Sequence, residues 1–101
     1  MANKRDGNPE PAFDCALKFL SYRARSEKEV GKKLVQLGFS EKTVAATIDK
    51  LRALHYLNDE TFAREWARGR AEGRGYGPLR IERELRQKGI ERSVIHEVVR
   101  E

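Results

Sequence analysis

Leu34-Val35-Gln36-Leu37-Gly38-Phe39-Ser40-Glu41-Lys42-Thr43-Val44-Ala45-Ala46-Thr47-Ile48 lays down a skeleton that the chain uses twice. Leu34, Gly38, Phe39, Val44 and Ile48 return as Leu85, Gly89, Ile90, Ile95 and Val99. Each partner lies 51 positions on (34 to 85, 38 to 89, 48 to 99), so the likeness is one of register and not of composition. In each copy the glycine is placed to close a helix in the left-handed conformation, and a second apolar helix follows it. Two copies of such a unit predict a stacked helical module, an architecture that presents extended faces to a large partner.

Working outward, Phe13, Ala16, Leu17 and Leu20 share one face of a helix from about Glu10 to Arg23, and Ala12, Cys15, Phe19 and Tyr22 form a second stripe. Such a helix packs against two neighbours. Ser26 with Glu29 is a capping box that starts the next helix, whose buried stripe is Val30, Leu34 and Leu37. Ser40 caps a third, continued by Val44, Ile48 and Leu51. The link His55 to Asp59 breaks the periodicity and ends in two cap candidates, Asn58 and Asp59; Asp59 reads as a helix cap before a catalytic acid.

A fourth helix turns Phe62, Ala63, Trp66 and Ala67 inward and Arg64, Glu65, Arg68 and Glu72 outward. Gly73-Arg74-Gly75-Tyr76-Gly77 is expected to break it. Pro78 suits the first turn of a fifth helix with Ile81 and Leu85 inward, and Ile95 and Val99 belong to a sixth. Arg70 matches Arg23 at 47 positions while the later pairs match at 51, which assigns four extra residues to the glycine-rich turn of the second copy. No strand-like alternation occurs. The expected fold is all-α: tandem three-helix repeats, two modules and about six helices in an elongated, right-handed or slightly curved array. Residues 1–11 are expected to be disordered or frayed, with modules at 12–57 and 58–101.

A chain of 101 residues has room for a modest core and no long enclosed cleft. Lysine and arginine number 21 against 16 acids, a net charge of +5 that is compatible with a polyanionic partner without naming one. The one cysteine, Cys15, builds no internal disulfide and has no companion ligands for zinc, and it reads as a small buried residue. Neither a signal peptide nor a membrane-spanning run is evident, so the expectation is a soluble cytoplasmic monomer with no membrane association.

The densest basic run supplies the candidate partner-binding residues. Arg64 and Arg68 lie one turn apart, Arg70 and Arg74 lead into the glycine turn, and Arg80, Arg83, Arg86 and Lys88 decorate the fifth helix. Glu65, Glu72, Glu82 and Glu84 are interleaved and available for local pairing. Lys32 and Lys33 rank second, and Arg23 and Arg25 serve helix ends or binding equally well. The glycine turn fails as a nucleotide loop, because no strand precedes it and no Lys-Ser or Lys-Thr follows. Trp66 reads as core and Tyr76 as a lid on that core. His55 and His96 lack metal-ligand spacing, so no metal, cofactor or catalytic set is assigned.

From Ala16-Leu17-Lys18-Phe19-Leu20-Ser21-Tyr22-Arg23-Ala24-Arg25-Ser26-Glu27-Lys28-Glu29 through Lys33-Leu34 to Gly38-Phe39, the chain resembles the first module of the RecX family. Leu57-Asn58-Asp59, Phe62-Ala63, Gly75-Tyr76-Gly77-Pro78, Ile81, Leu85 and Lys88-Gly89-Ile90 resemble its second module. Most members have three repeats, so the resemblance is to a two-module or truncated member. It implies a non-enzymatic regulator of the RecA recombinase. Such a regulator lies in the groove of the RecA filament, generally suppressing ATP hydrolysis and strand exchange in recombination and repair, with single- or double-stranded DNA nearby. The competing expectation is a free-standing helical DNA-binding module.

Overall fold

The structure, a computed structural model, describes residues 9–100. Among them are six helices: α1 (Pro9–Tyr22), α2 (Glu27–Gln36), α3 (Glu41–Ala53), α4 (Asp59–Arg74), α5 (Pro78–Gln87) and α6 (Arg92–Arg100). They form two compact units, one ending at Leu57 and one beginning at Asn58. Within each unit every helix packs on the other two. The expected frayed segment, 1–11, falls mostly outside the described residues; from Pro9 onward the chain is already helical.

The apolar positions of the repeated skeleton pack into the core of each unit. Leu34 and Leu85 are fully buried, and Phe39 and Ile90 are nearly so. Gly38 and Gly89 take positive φ, 95° and 79°. Around each, two bonds close the helix end in the same way. Phe39 N–H reaches Leu34 C=O at 3.1 Å and Gly38 N–H reaches Val35 C=O at 3.0 Å; Ile90 and Gly89 repeat this on Leu85 and Arg86 at 3.1 and 3.0 Å. This is the Schellman arrangement, which satisfies carbonyls a helix end otherwise leaves open.

Helix starts follow the side chains available. Ser26 Oγ accepts from Glu29 N–H at 3.2 Å while Glu29 Oε1 accepts from Ser26 N–H at 3.1 Å, the reciprocal capping box. Ser40 Oγ accepts from Thr43 N–H at 3.2 Å. At α4 the cap is Asn58, whose Oδ1 accepts from Thr61 N–H at 3.0 Å. Asp59 is instead the first helical residue, where its charge faces the positive helix end.

Three other expectations are corrected. On α3 the fully packed positions are Thr43, Thr47 and Leu51, with Val44 and Ile48 half-buried. Thr47 is tolerated inside because its hydroxyl donates to Thr43 C=O at 2.7 Å, so no polar group is left unpaired. Tyr22, the last residue of α1, is 72% exposed and lies outside the packed stripe that contains Phe19. The helix α4 runs through Gly73 to Arg74 and stops at Gly75, whose φ of 68° is left-handed. The extra length of the second module therefore extends α4 and not the turn. The link that breaks the periodicity after α3 begins with His55 at φ 66°, with Tyr56 N–H on Leu51 C=O at 2.8 Å and His55 N–H on Arg52 C=O at 3.1 Å. It is the glycine device built on a residue that pays about 1–2 kcal/mol for the conformation.

Candidate functional site

The extended α4 and the following α5, with its C-cap Lys88, carry eight of the candidate cations, and the structure divides them into classes. Three surround two rings. Arg70 lies 4.2 Å from the Trp66 ring centroid and 5.9 Å from that of Tyr76, Arg80 lies 3.7 Å over Tyr76, and Lys88 lies 4.7 Å over Trp66. Glu84 sits among them. Its Oε1 accepts from Trp66 Nε1 at 3.0 Å and stands 3.4 Å from Arg70 Nε, and its Oε2 is 3.9 Å from Arg80 Nε. Cation, ring and carboxylate satisfy one another here; each such ring contact is worth ~0.5–2 kcal/mol.

Two more pair along their own helix: Arg64 with Glu60 at 2.9 Å and Arg86 with Glu82 at 3.0 Å, each at i,i+4. Pairs this exposed contribute roughly 0.3–0.5 kcal/mol and separate readily when a partner competes. The remaining three, Arg68, Arg74 and Arg83, are exposed and have no hydrogen bond, ion pair or ring contact among the described residues. In the first unit Lys32 is likewise exposed and unpaired among the described residues, while Lys33 is half-buried with its ammonium 5.8 Å from the Phe19 ring.

The ring arrangement has a counterpart in the first unit. Phe19, 47 positions before Trp66, is covered by Arg25 at 4.0 Å. The Arg25 Nε is buried without a hydrogen-bond partner, and burial followed by repulsion from Arg23 holds its guanidinium pKa below the ordinary value. Arg23 itself pairs with Glu29 at 3.2 Å, closing the capping box from outside. Both Arg23 and Arg25 thus have local structural contacts.

The second unit also contains a groove of about 330 Å³ that apolar spacing alone does not announce. Ala67 and Ala71 of α4, Ile81 of α5, and Val98 and Val99 of α6 line it, with Tyr76, Pro78, Arg64, Arg68 and Glu72 completing its wall. Tyr76 packs half-buried against the same core cluster, as expected of a lid. A signal existed in the repeat: Leu17 and Leu20, both packed on the first core, correspond at 47 positions to Arg64 and Ala67.

Residues 12–51 match the family model of the first three-helix domain of RecX, and residues 58–99 match that of the second. The chain belongs to the RecX family. Among its relatives, the regulatory protein RecX of Pelodictyon phaeoclathratiforme is 35% identical over 96 residues, covering 95% of this chain and 60% of the relative. The regulatory protein RecX of Bacillus velezensis is 41% identical over 88 residues, 87% of this chain and 34% of the relative. The crystal structure of RecX from Lactobacillus salivarius superposes with a TM-score of 0.86 at 31% identity, covering 90% of this chain and 59% of that one. The chain thus spans between about a third and two thirds of the RecX proteins it matches.

RecX membership accounts for the doubled skeleton as two successive three-helix domains of a family of regulatory proteins. No helix among the described residues is long and apolar enough to cross a membrane.

Proposed function

We propose that this chain is a non-enzymatic regulator of the RecA recombinase, mainly an inhibitor, which binds in the groove of the RecA filament. There it lowers ATP turnover and strand exchange by altering contacts between neighbouring protomers. The observation that carries this reading is the RecX match across both domains, residues 12–51 and 58–99. The second unit is the better candidate for the contact surface, because Arg68, Arg74 and Arg83 stand exposed and unpaired among the described residues. Arg64 and Arg86, in weak surface pairs, add to that surface when a partner's carboxylates or phosphates compete. Arg70, Arg80 and Lys88 flank it, each lying against the ring of Tyr76 or Trp66.

A free-standing DNA-binding module is less well supported. Glu60, Glu82 and Glu84 neutralise much of the basic run, and Gln87 has no neighbouring Asn or Gln with which to read base edges. The test is to add the purified chain to recombinase assembled on single-stranded DNA and to follow ATP turnover and filament length. A dose-dependent fall in turnover is expected; no change in either quantity at saturating protein sinks the proposal.

A further inference from the structure

The groove of the second unit is lined at a position where the two copies of the repeat differ in size. Ala63 and Trp66 occupy the places of Ala16 and Phe19, and both units bury the alanine and half-bury the ring. Immediately after the ring the first unit puts Leu20 against its core, whereas the second puts Ala67. The floor beneath is apolar in both: Val30 and Ile48 in the first unit, Ile81 and Val99 in the second. Ala67 lines the groove of about 330 Å³, and the added turn of α4 lengthens its wall with Ala71 and Glu72.

An apolar depression of this size, at the lower end of the range for ligand sites (roughly 300–1,000 Å³), binds through burial of a matching apolar group. Its charged wall restricts which group arrives. Arg68 is unpaired among the described residues, and so is Glu72 one turn further along α4. An apolar anchor is therefore favoured when a carboxylate lies on the Arg68 side, and disfavoured when a cation lies there.

We propose that this groove receives an aliphatic side chain of a protein partner, a leucine or isoleucine with a neighbouring carboxylate, which fills the place Leu20 fills in the first unit and brings its acid to Arg68. Leu20 is the internal copy of the guest: the first unit carries its own, and the second takes one from outside. The inference rests on the reading above, in which the partner is the recombinase filament, and it assigns the anchor point on this chain.

The test is Ala67→Leu, which restores the first unit's residue and fills the groove from within. Binding of the full chain to recombinase filaments on single-stranded DNA is measured for wild type, Ala67→Leu and Arg68→Glu, together with thermal unfolding by circular dichroism. The expected result is at least ~10-fold weaker filament binding for each variant, the size of effect typical of a filled or reversed anchor site, with a midpoint for Ala67→Leu no lower than wild type. Wild-type affinity in Ala67→Leu overturns the inference while leaving the filament reading intact. Wild-type affinity in Arg68→Glu overturns the assignment of an acid beside the anchor. An equal loss by Ala67→Leu on bare single-stranded DNA overturns it in favour of a nucleobase guest. Absence of filament binding by the wild-type chain removes the functional reading and this inference with it.

Discussion

The two units share a frame and differ in what clothes it. Leu34 and Leu85, Phe39 and Ile90, and the left-handed Gly38 and Gly89 occupy equivalent buried or turning positions. Around them in the first unit Ser26 and Glu29 cap α2, Arg23 pairs with Glu29, and Leu20 packs against the core. In the second unit, Gly77 stands where Ser26 stood and supplies no side-chain cap, and Ala67 lines a groove. Arginines replace acids or apolar residues at 64 and 80. A repeat can retain folding information at its frame positions while the remaining positions diverge toward a partner, because the frame alone closes the core.

The largest effects should come from the frame and should be symmetrical. Leu34→Ala and Leu85→Ala each remove a fully buried side chain and should each cost about 2–5 kcal/mol in urea unfolding. A loss confined to one of them would break the equivalence of the two units. Next come the clothing residues, where symmetry should fail. Reversing Arg68 and Arg74 to Glu should weaken filament binding at least ~10-fold with helicity unchanged, since both are exposed. Lys32→Glu in the first unit should change it by no more than about threefold, the effect of an isolated rim charge. Equal sensitivity at Lys32 would move the contact surface to both units.

Caps give a smaller contrast. Ser26→Ala should cost ~1 kcal/mol by removing the capping box, whereas Gly77→Ser should add only a few tenths, because glycine is already an acceptable cap. Smallest are two backbone substitutions in the first unit that should stabilise it. His55→Gly relieves a left-handed histidine, and Gly31→Ala places a methyl 3.7 Å from Val44 Cγ1, an ordinary contact. Each should raise stability by roughly 0.5–1 kcal/mol in the same unfolding experiment.

What was legible in the sequence was whatever local chemistry determines. Ser26 with Glu29, Ser40, Gly38 and Gly89 mark helix ends because caps and left-handed turns need particular residues within a few positions. The helical phase of α1 and α4 follows from apolar spacing. The chain conceals its structure where tertiary packing overrides local preference. Thr47 is buried because a carbonyl four residues back satisfies its hydroxyl, and α4 passes through Gly73 although glycine there weakens a helix. The candidate site was legible as a list of cations but not as an arrangement. Trp66 and Glu84 are 18 positions apart and meet only when α4 packs on α5, which turns Arg70, Arg80 and Lys88 toward rings and leaves Arg68, Arg74 and Arg83 available. The groove was hidden for a simpler reason: an alanine on an inward face looks like ordinary core until its repeat partner, a leucine, is set beside it.

The central claim, that the second unit is adapted to an assembled protein filament, is tested most directly by one pair of affinities. Binding of the chain to recombinase filaments on single-stranded DNA should be measured beside binding to the same DNA bare, each over a salt series. The expected result is at least ~10-fold tighter binding to the filament, equivalent to about 1.4 kcal/mol, with only a shallow salt dependence. Equal or tighter binding to the bare strand, falling steeply with salt, would contradict the account.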